Sequence, residues 1–276
     1  MTYKRMGELF LLGDYGFEYD LESNFRAIAV EVALRKKQLS GVMEVMPCCW
    51  SIGVLFNPLK LPEQTLISEM QEIEEEIGEL PRIPSRLIEI PIFYNDPWTA
   101  ECAKVHGVPQ NQFGFDGTPL EFVAHVNGKS PREFVEAHSG ADWWVAGVGF
   151  TPGTIVAYSM DPNKRVFAPK YKVPRTWTPR NAVGLGDNCC IYSVVNPGGV
   201  QIFGITPLNA YEPEQKNRIF QKNPVLFRVG DRIRWIPIES DEYERLRQDV
   251  ERGTFDYEKH IHEESFDTRR YLENLG

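Results

Sequence analysis

The chain has 276 residues, 42% hydrophobic and 25% charged, the make-up of an ordinary globular protein of one large or two moderate domains. Its formal net charge of −9 argues against nucleic acid or an anionic membrane surface as the main partner. No run approaches the roughly 20 apolar residues of a membrane span, and the start through Glu8 lacks an apolar signal core, so the expected compartment is a reducing cytoplasm.

Residues 1–84 read as a small α+β domain. Leu9 to Leu12 is a short apolar run, and Leu21 to Lys37 looks helical, with Phe25, Ile28, Val32 and Leu34 as apolar positions. Gly41 to Met46 and Trp50 to Phe56 read as strands separated by Pro47, Cys48 and Cys49. Pro62 opens the clearest helix: Leu66, Met70, Ile73 and Ile77 fall at i, i+4, i+7 and i+11, and Gly78 follows. Its other face is glutamate-rich, as a solvated face is. The stretch from Leu80 to Ser85, broken by Pro81 and Pro84, is the expected boundary.

Residues 85–276 form the second expected domain. Leu87 to Phe93 is a strand, Thr99 to His106 and Thr118 to Asn127 are short helices, and Ser130-Pro131 starts another that runs to His138. Trp143 to Val148 opens a β-rich region. Between Tyr171 and Pro207, short β-type runs alternate with Gly, Pro and Asn turns, the pattern of a closed or nearly closed barrel. Ile202-Phe203, Val225 to Arg228 and Ile233 to Ile238 are later strands. Glu242 to Arg252 is a surface helix, followed by a charged tail that ends in a short helix. The fold class is α+β: a small N-terminal α+β domain, then a barrel domain.

Five cysteines occur, among them the adjacent pairs Cys48-Cys49 and Cys189-Cys190. Neighbours on a strand point to opposite faces, so the expectation is space-filling thiols rather than a zinc or redox site. His260 and His262 are the only closely spaced histidines. On a strand they share a face and could chelate a metal, but the polar context favours a solvated tail, and no metal is expected on this chain. Three glycines and Pro152 between Gly147 and Gly153 would let backbone approach a ligand, with Thr151 and Thr154 hydroxyls at hand. A bulged strand and tight turn beneath Phe150 fits equally. Arg175 follows Pro174 and precedes Trp177: its guanidinium can face a developing negative charge, or, buried, hold loop carbonyls. Asn188, Tyr192 and the turn Pro197-Gly198-Gly199 follow within a few short strands.

These residues resemble the subunit-A half of the carboxyltransferase of urea carboxylases, the allophanate hydrolase subunit 1 family. That family includes the smaller subunit of bacterial 5-oxoprolinase and the kinase inhibitor KipI. The resemblance runs through Ile83 to Arg86, Leu120 to Gly128, Lys170 to Pro179, Ile191-Tyr192, Pro197 to Gly199, Gly230 to Arg234 and Glu264 to Leu272. It implies a cyclophilin-like β-barrel, and a homologous B subunit (KipA or allophanate hydrolase subunit 2-like) that completes the active site. It also implies biotin on a partner carrier, a biotin carboxylase that uses ATP, and transfer of CO2 to an amide-type nitrogen. On this pattern Arg175 and Tyr192 are the catalytic donors. Phe150, Thr151, Thr154, Asn188, Gly198 and Gly199 are the substrate-binding positions. Phe150 stands where urea carboxylases carry an acid, and the Gly-Phe-x-Pro-Gly form is similar to the oxoprolinase and KipI branch. A larger, less polar amide or lactam is therefore a substrate candidate beside urea. The resemblance leaves two other roles open: a subunit of ATP-dependent 5-oxoprolinase, and a KipI-like inhibitor of a histidine kinase.

Overall fold

The computed structural model describes residues 1–16 and 21–275. In chain order come β1 (Thr2–Met6), β2 (Phe10–Asp14), α1 (Leu21–Lys37), β3 (Val42–Cys48), β4 (Ser51–Phe56), α2 (Glu63–Ile77) and β5 (Ile83–Tyr94). Four helices follow, α3 (Pro97–Val105), α4 (Gln110–Phe113), α5 (Pro119–Val126) and α6 (Pro131–Ser139). The remainder is β6 (Asp142–Val148), β7 (Ile155–Ser159), β8 (Ala182–Leu185), β9 (Cys189–Ile191), β10 (Gln201–Ile205), β11 (Arg232–Pro237), α7 (Ser240–Arg252), β12 (Ile261–Phe266) and α8 (Thr268–Glu273). They form two compact units, Met1–Ser85 with Glu263–Gly276, and Arg86–His262.

The first unit is an antiparallel sheet ordered β1-β2-β4-β3, with α1 on β3 and β4 and α2 beside α1. Its core joins Leu11, Ile52, Val54 and Phe56 of the sheet to Ala27, Val30 and Leu34 of α1 and Leu66, Met70 and Ile73 of α2. The apolar stripe of α1 thus differs from the expected one. Ala27, Val30 and Leu34 meet the sheet, whereas Phe25 lies on the other side, against Phe266 and Tyr271 (ring centroids 5.8 Å from each). Val32 lies beyond that cover and is half exposed. The β3–β4 break also moves: Pro47 and Cys48 stay in the strand, paired with Ile52 and Ser51, and only Cys49-Trp50 turn. Proline is tolerated there because β3 is an edge strand with no partner for that N–H.

The second unit contains a closed seven-strand barrel. Strand order runs β10-β8-β9-β7-β6-β11-β5, and β5 pairs again with β10 through Phe93↔Ile205 to close the ring. β11 and β5 run parallel, Ile233 opposite Ile88 and Trp235 opposite Ile90, while the other barrel neighbours are antiparallel. α5 packs on β10 and α6 on β11, so Val123 and Phe134 share one core with Ile90, Trp143, Phe203 and Trp235. The barrel and the separate sheet are the α+β architecture expected. Two stretches expected to be β-type are not strands. Residues 171–181 are irregular apart from an Arg175↔Gly198 bridge. In 225–228 only Val225 makes a bridge, to Tyr211: Pro224 has no N–H, and the Arg228 N–H turns to the Asp231 carboxylate (2.8 Å).

Candidate functional site

A cavity of about 270 Å³ opens on the barrel unit, and Phe150, Thr154, Asn188, Tyr192 and Gly199 line it. Five of the eight residues singled out from the sequence therefore converge. The β6–β7 hairpin supplies the first two. Its register slips between Val145 and Gly147, and the loop closes with the Gly149 N–H on the Thr154 carbonyl (2.8 Å). Phe150 takes a left-handed φ of 73° and is 78% exposed at the rim. Gly153 (φ 79°) cannot carry a Cβ, which would stand 2.6 Å from the Ala210 carbonyl oxygen.

Thr151 does not line the cavity. Its hydroxyl is 2.6 Å from that of Thr154, and both are within 3.2 Å of Ser193 Oγ, which donates to the Pro152 carbonyl (2.6 Å). Asn196 Nδ2 donates to Thr151 Oγ1 (3.3 Å). These contacts fasten the loop that carries Phe150. Ser193 and Asn196 carry no sequence signal, because their role is purely tertiary.

β9 sorts its two cysteines by face. Cys189 enters the core, 3.5 Å from His138 Nε2, and Cys190 lines the cavity. Tyr192 follows, its N–H on the Ala182 carbonyl (2.8 Å), and its ring lies over Gly198. A Cβ at Gly198 would stand 2.2 Å from the Tyr192 hydroxyl oxygen, so glycine there makes room for the ring. Gly199 has no such constraint, since a Cβ there would meet nothing closer than the Tyr171 carbonyl oxygen at 3.5 Å.

Arg175 sits behind the cavity and is 1% exposed. It donates to the Val200 carbonyl (2.8 Å) and to Thr178 Oγ1 (3.4 Å), and its guanidinium lies 5.6 and 5.9 Å from the ring centres of Tyr171 and Tyr192. Trp177 is not its stacking partner, since that indole packs against His106 (5.4 Å). Of the two roles open to Arg175, the geometry is that of a buried cation holding a loop carbonyl and flanking Tyr192.

Lys170 is the lining residue that sequence reasoning missed. It is exposed, with no hydrogen-bond or ion-pair partner among the described residues. Its only sequence signal is its place in the Lys170-to-Pro179 run. Burial lifts the Tyr192 phenol well above its usual range, with Arg175 pulling the other way. Burial likewise pushes the Cys190 thiol up to about 12, opposed by Arg175 and Lys170. At neutral pH the site therefore presents a neutral phenol, a neutral thiol, an amide and one ammonium on largely apolar walls.

A larger cavity, about 410 Å³, lies by Arg180, Glu212 and Arg247 and contains none of the expected residues. Its charged side chains are already engaged: Lys216 pairs with Glu214, Arg247 with Glu251 and with Glu244 outside the lining, Arg180 holds the Tyr211 carbonyl, and Glu212 accepts from Asn209 and Asn217. His260 and His262 both face Glu89, at 3.7 and 3.9 Å, and among the described residues no group of three or more ligating side chains forms. Nor is any described helix long and apolar enough to cross a membrane.

Residues 1–220 match the family model of the carboxyltransferase domain, subdomains C and D. A putative urea carboxylase of Emericella nidulans is 27% identical over 272 residues, which cover 94% of this chain but 22% of that relative. The B subunit of 5-oxoprolinase from Bacillus subtilis is 25% identical over 257 residues, 89% of this chain and 96% of that one. Among solved structures, the urea amidolyase of K. lactis superposes with a TM-score of 0.85 at 25% identity, over 99% of this chain and 17% of its own. The chain thus spans about a fifth of the large urea enzymes it resembles and nearly all of the oxoprolinase polypeptide. It belongs to the carboxyltransferase-domain family, as a chain of subdomains C and D.

Proposed function

We propose that this chain is the A subunit of a biotin-dependent, urea-carboxylase-like carboxyltransferase, cytoplasmic and active only with a homologous B subunit. Its task is to help move CO2 from carboxybiotin to an amide-type nitrogen of urea or a related small molecule. The observation that carries the proposal is the unpartnered Lys170 ammonium facing the same cavity as the protonated Tyr192 hydroxyl. A cation and a neutral donor on apolar walls fit a carboxylated ureido ring, which needs its anionic oxygens held and water kept out. Biotin, on a partner carrier charged by an ATP-using carboxylase, would supply the activated carboxyl group.

Within this chain, Lys170 holds the carboxyl oxygens and Tyr192 donates to the carbonyl oxygen on which charge develops. Asn188 accepts an acceptor N–H, with Thr154 and the Gly199 backbone shaping the wall. Arg175 acts as a positioning residue behind Tyr192, and Gly198 gives that ring its space. Thr151 holds the rim loop. Five thiols, none of them disulfide-bonded, suit a reducing cytoplasm.

In the complex assembled with its homologous partner, carrier and biotin carboxylase, Tyr192→Phe is expected to lower kcat by about 100-fold, the scale of one lost oxyanion donor, with assembly intact. Undiminished turnover would remove Tyr192 from the site. Avidin should abolish the activity. If turnover survives avidin, the second candidate takes over: ATP-dependent opening of a lactam. Phe150 favours it, because a phenyl ring cannot accept the N–H groups of urea, as does the near full-length match to the Bacillus oxoprolinase polypeptide.

A further inference from the structure

The structure overturns the expectation that Cys48 and Cys49 point to opposite faces of a strand. Cys49 leaves β3 in a left-handed conformation (φ 52°) as the first residue of a two-residue hairpin turn. That twist brings both side chains to one side, with Sγ atoms 4.0 Å apart. The turn is held at each residue. Ser51 Oγ donates to the Cys48 carbonyl (3.0 Å), Asn24 Nδ2 to that of Cys49 (2.7 Å), and the Tyr15 N–H to that of Trp50 (3.0 Å). Hairpins of this length favour glycine at the left-handed position, so turn geometry alone gives no reason for a thiol there.

The spacing selects what can bridge the pair. A disulfide needs about 2.05 Å between sulfurs and Cα atoms at least about 4.4 Å apart, whereas adjacent residues are held at about 3.8 Å. A single soft atom bonded to both thiolates fits better: at about 2.3 Å from each, with an angle between about 95° at a pyramidal centre and the tetrahedral value, it spaces them by about 3.4–3.8 Å, which a small side-chain rotation reaches from 4.0 Å. Among the described residues no group of three or more ligating side chains exists, so the bridging atom has to be satisfied by two thiolates plus a substituent of its own.

We infer that Cys48 and Cys49 form a dithiol modification site for monosubstituted trivalent arsenicals and chemically equivalent thiophilic centres. In the step, two S–H and two As–OH bonds break and two As–S bonds form, releasing two waters while arsenic stays trivalent, so no oxidant is needed. Cys48 is exposed, and the hydrogen bond it shares with Cys49 brings its thiol down to about 7 against the opposing effect of burial, a shift toward the nucleophilic thiolate. The three other thiols, Cys102, Cys189 and Cys190, are buried, and the adjacent pair on β9 is split between two faces.

The test is intact-mass spectrometry of the full chain after exposure to phenylarsine oxide and a wash with excess 2-mercaptoethanol. The native protein should retain one equivalent, released by 2,3-dimercaptopropanol, and Cys102→Ser should behave the same. Cys48→Ser and Cys49→Gly should each weaken retention at least about 100-fold, the loss of a second linked attachment. Cys49→Gly suits the left-handed turn and keeps the fold, so its result stands whatever happens to Cys48→Ser. No retained arsenical on the native chain, or equal retention by Cys49→Gly, would overturn the site.

Discussion

Phe150 is costly twice over: it exposes a phenyl ring to solvent and holds a bulky residue at positive φ, a conformation costing about 1–2 kcal/mol for any residue with a Cβ. The loop is held by Thr151, Thr154, Ser193 and Asn196, but among the described residues the Phe150 ring itself has no aromatic partner, which points to the ring acting on what enters the cavity. Phe150→Gly is expected to leave stability unchanged or raise it by up to about 1 kcal/mol while raising KM, checked by urea denaturation and by kinetics of the assembled enzyme. A loss of stability would show the ring to be a folding contact instead. At this scale sequence reasoning picks out the rim loop and Tyr192 but not Lys170, because a single surface lysine carries no local mark of what it faces. Nor does it show that the missing side chain of Gly198, named as a substrate-binding position, makes room for the Tyr192 ring.

Among the elements, those with local signals were legible. α2 has its i, i+4, i+7, i+11 stripe, and α5 and α6 carry complete capping boxes, Thr118 with Glu121 and Ser130 with Glu133. Ser130 is the N-cap of a helix that sets Phe134 and His138 into the core, so Ser130→Ala should cost about 1 kcal/mol, read as a lower urea midpoint at constant slope. An unshifted midpoint would mean the cap contributes nothing. The elements that were missed left no pattern in their own residues. β1 is largely exposed and exists by pairing with β2 across a tight hairpin, so it shows no apolar alternation, and the sheet side of α1 could not be told from the side covered by the remote Phe266 and Tyr271. The irregular path of residues 171–181 is likewise set by Arg175 and its bonds to Val200 and Gly198.

For the molecule as a whole, His138 ties the core to pH. It is fully buried among Phe134, Trp143, Phe203 and Trp235, shares a hydrogen bond with the Tyr94 hydroxyl at Nδ1 (2.7 Å) and another with Cys189 Sγ at Nε2 (3.5 Å). Burial lowers its pKa from 6.5 to about 3. The unfolded chain therefore takes up this proton below pH 6.5 and the folded one only near 3. Stability is full above that upper value and falls as pH drops toward the lower one, with His138 adding about 1.4 kcal/mol per pH unit to the slope. Denaturation of His138→Gln across that window should lack this increment, and an identical slope would mean that His138 titrates normally in the fold.

Periodicity, capping and turn chemistry are local, so the α+β class, the capped helices and most of the residue types at the cavity could be read from the chain alone. Long-range packing settled the rest: which residues face the cavity and which stand behind it. Closure of β5 onto β10 completes the barrel, and burial of Arg175 between two tyrosines leaves Lys170 as the cation at the opening. In the first unit, bonds from Asn24 and Tyr15 pin the hairpin that turns Cys49 toward Cys48. Those outcomes rest on contacts between residues far apart in the chain, which no local pattern records.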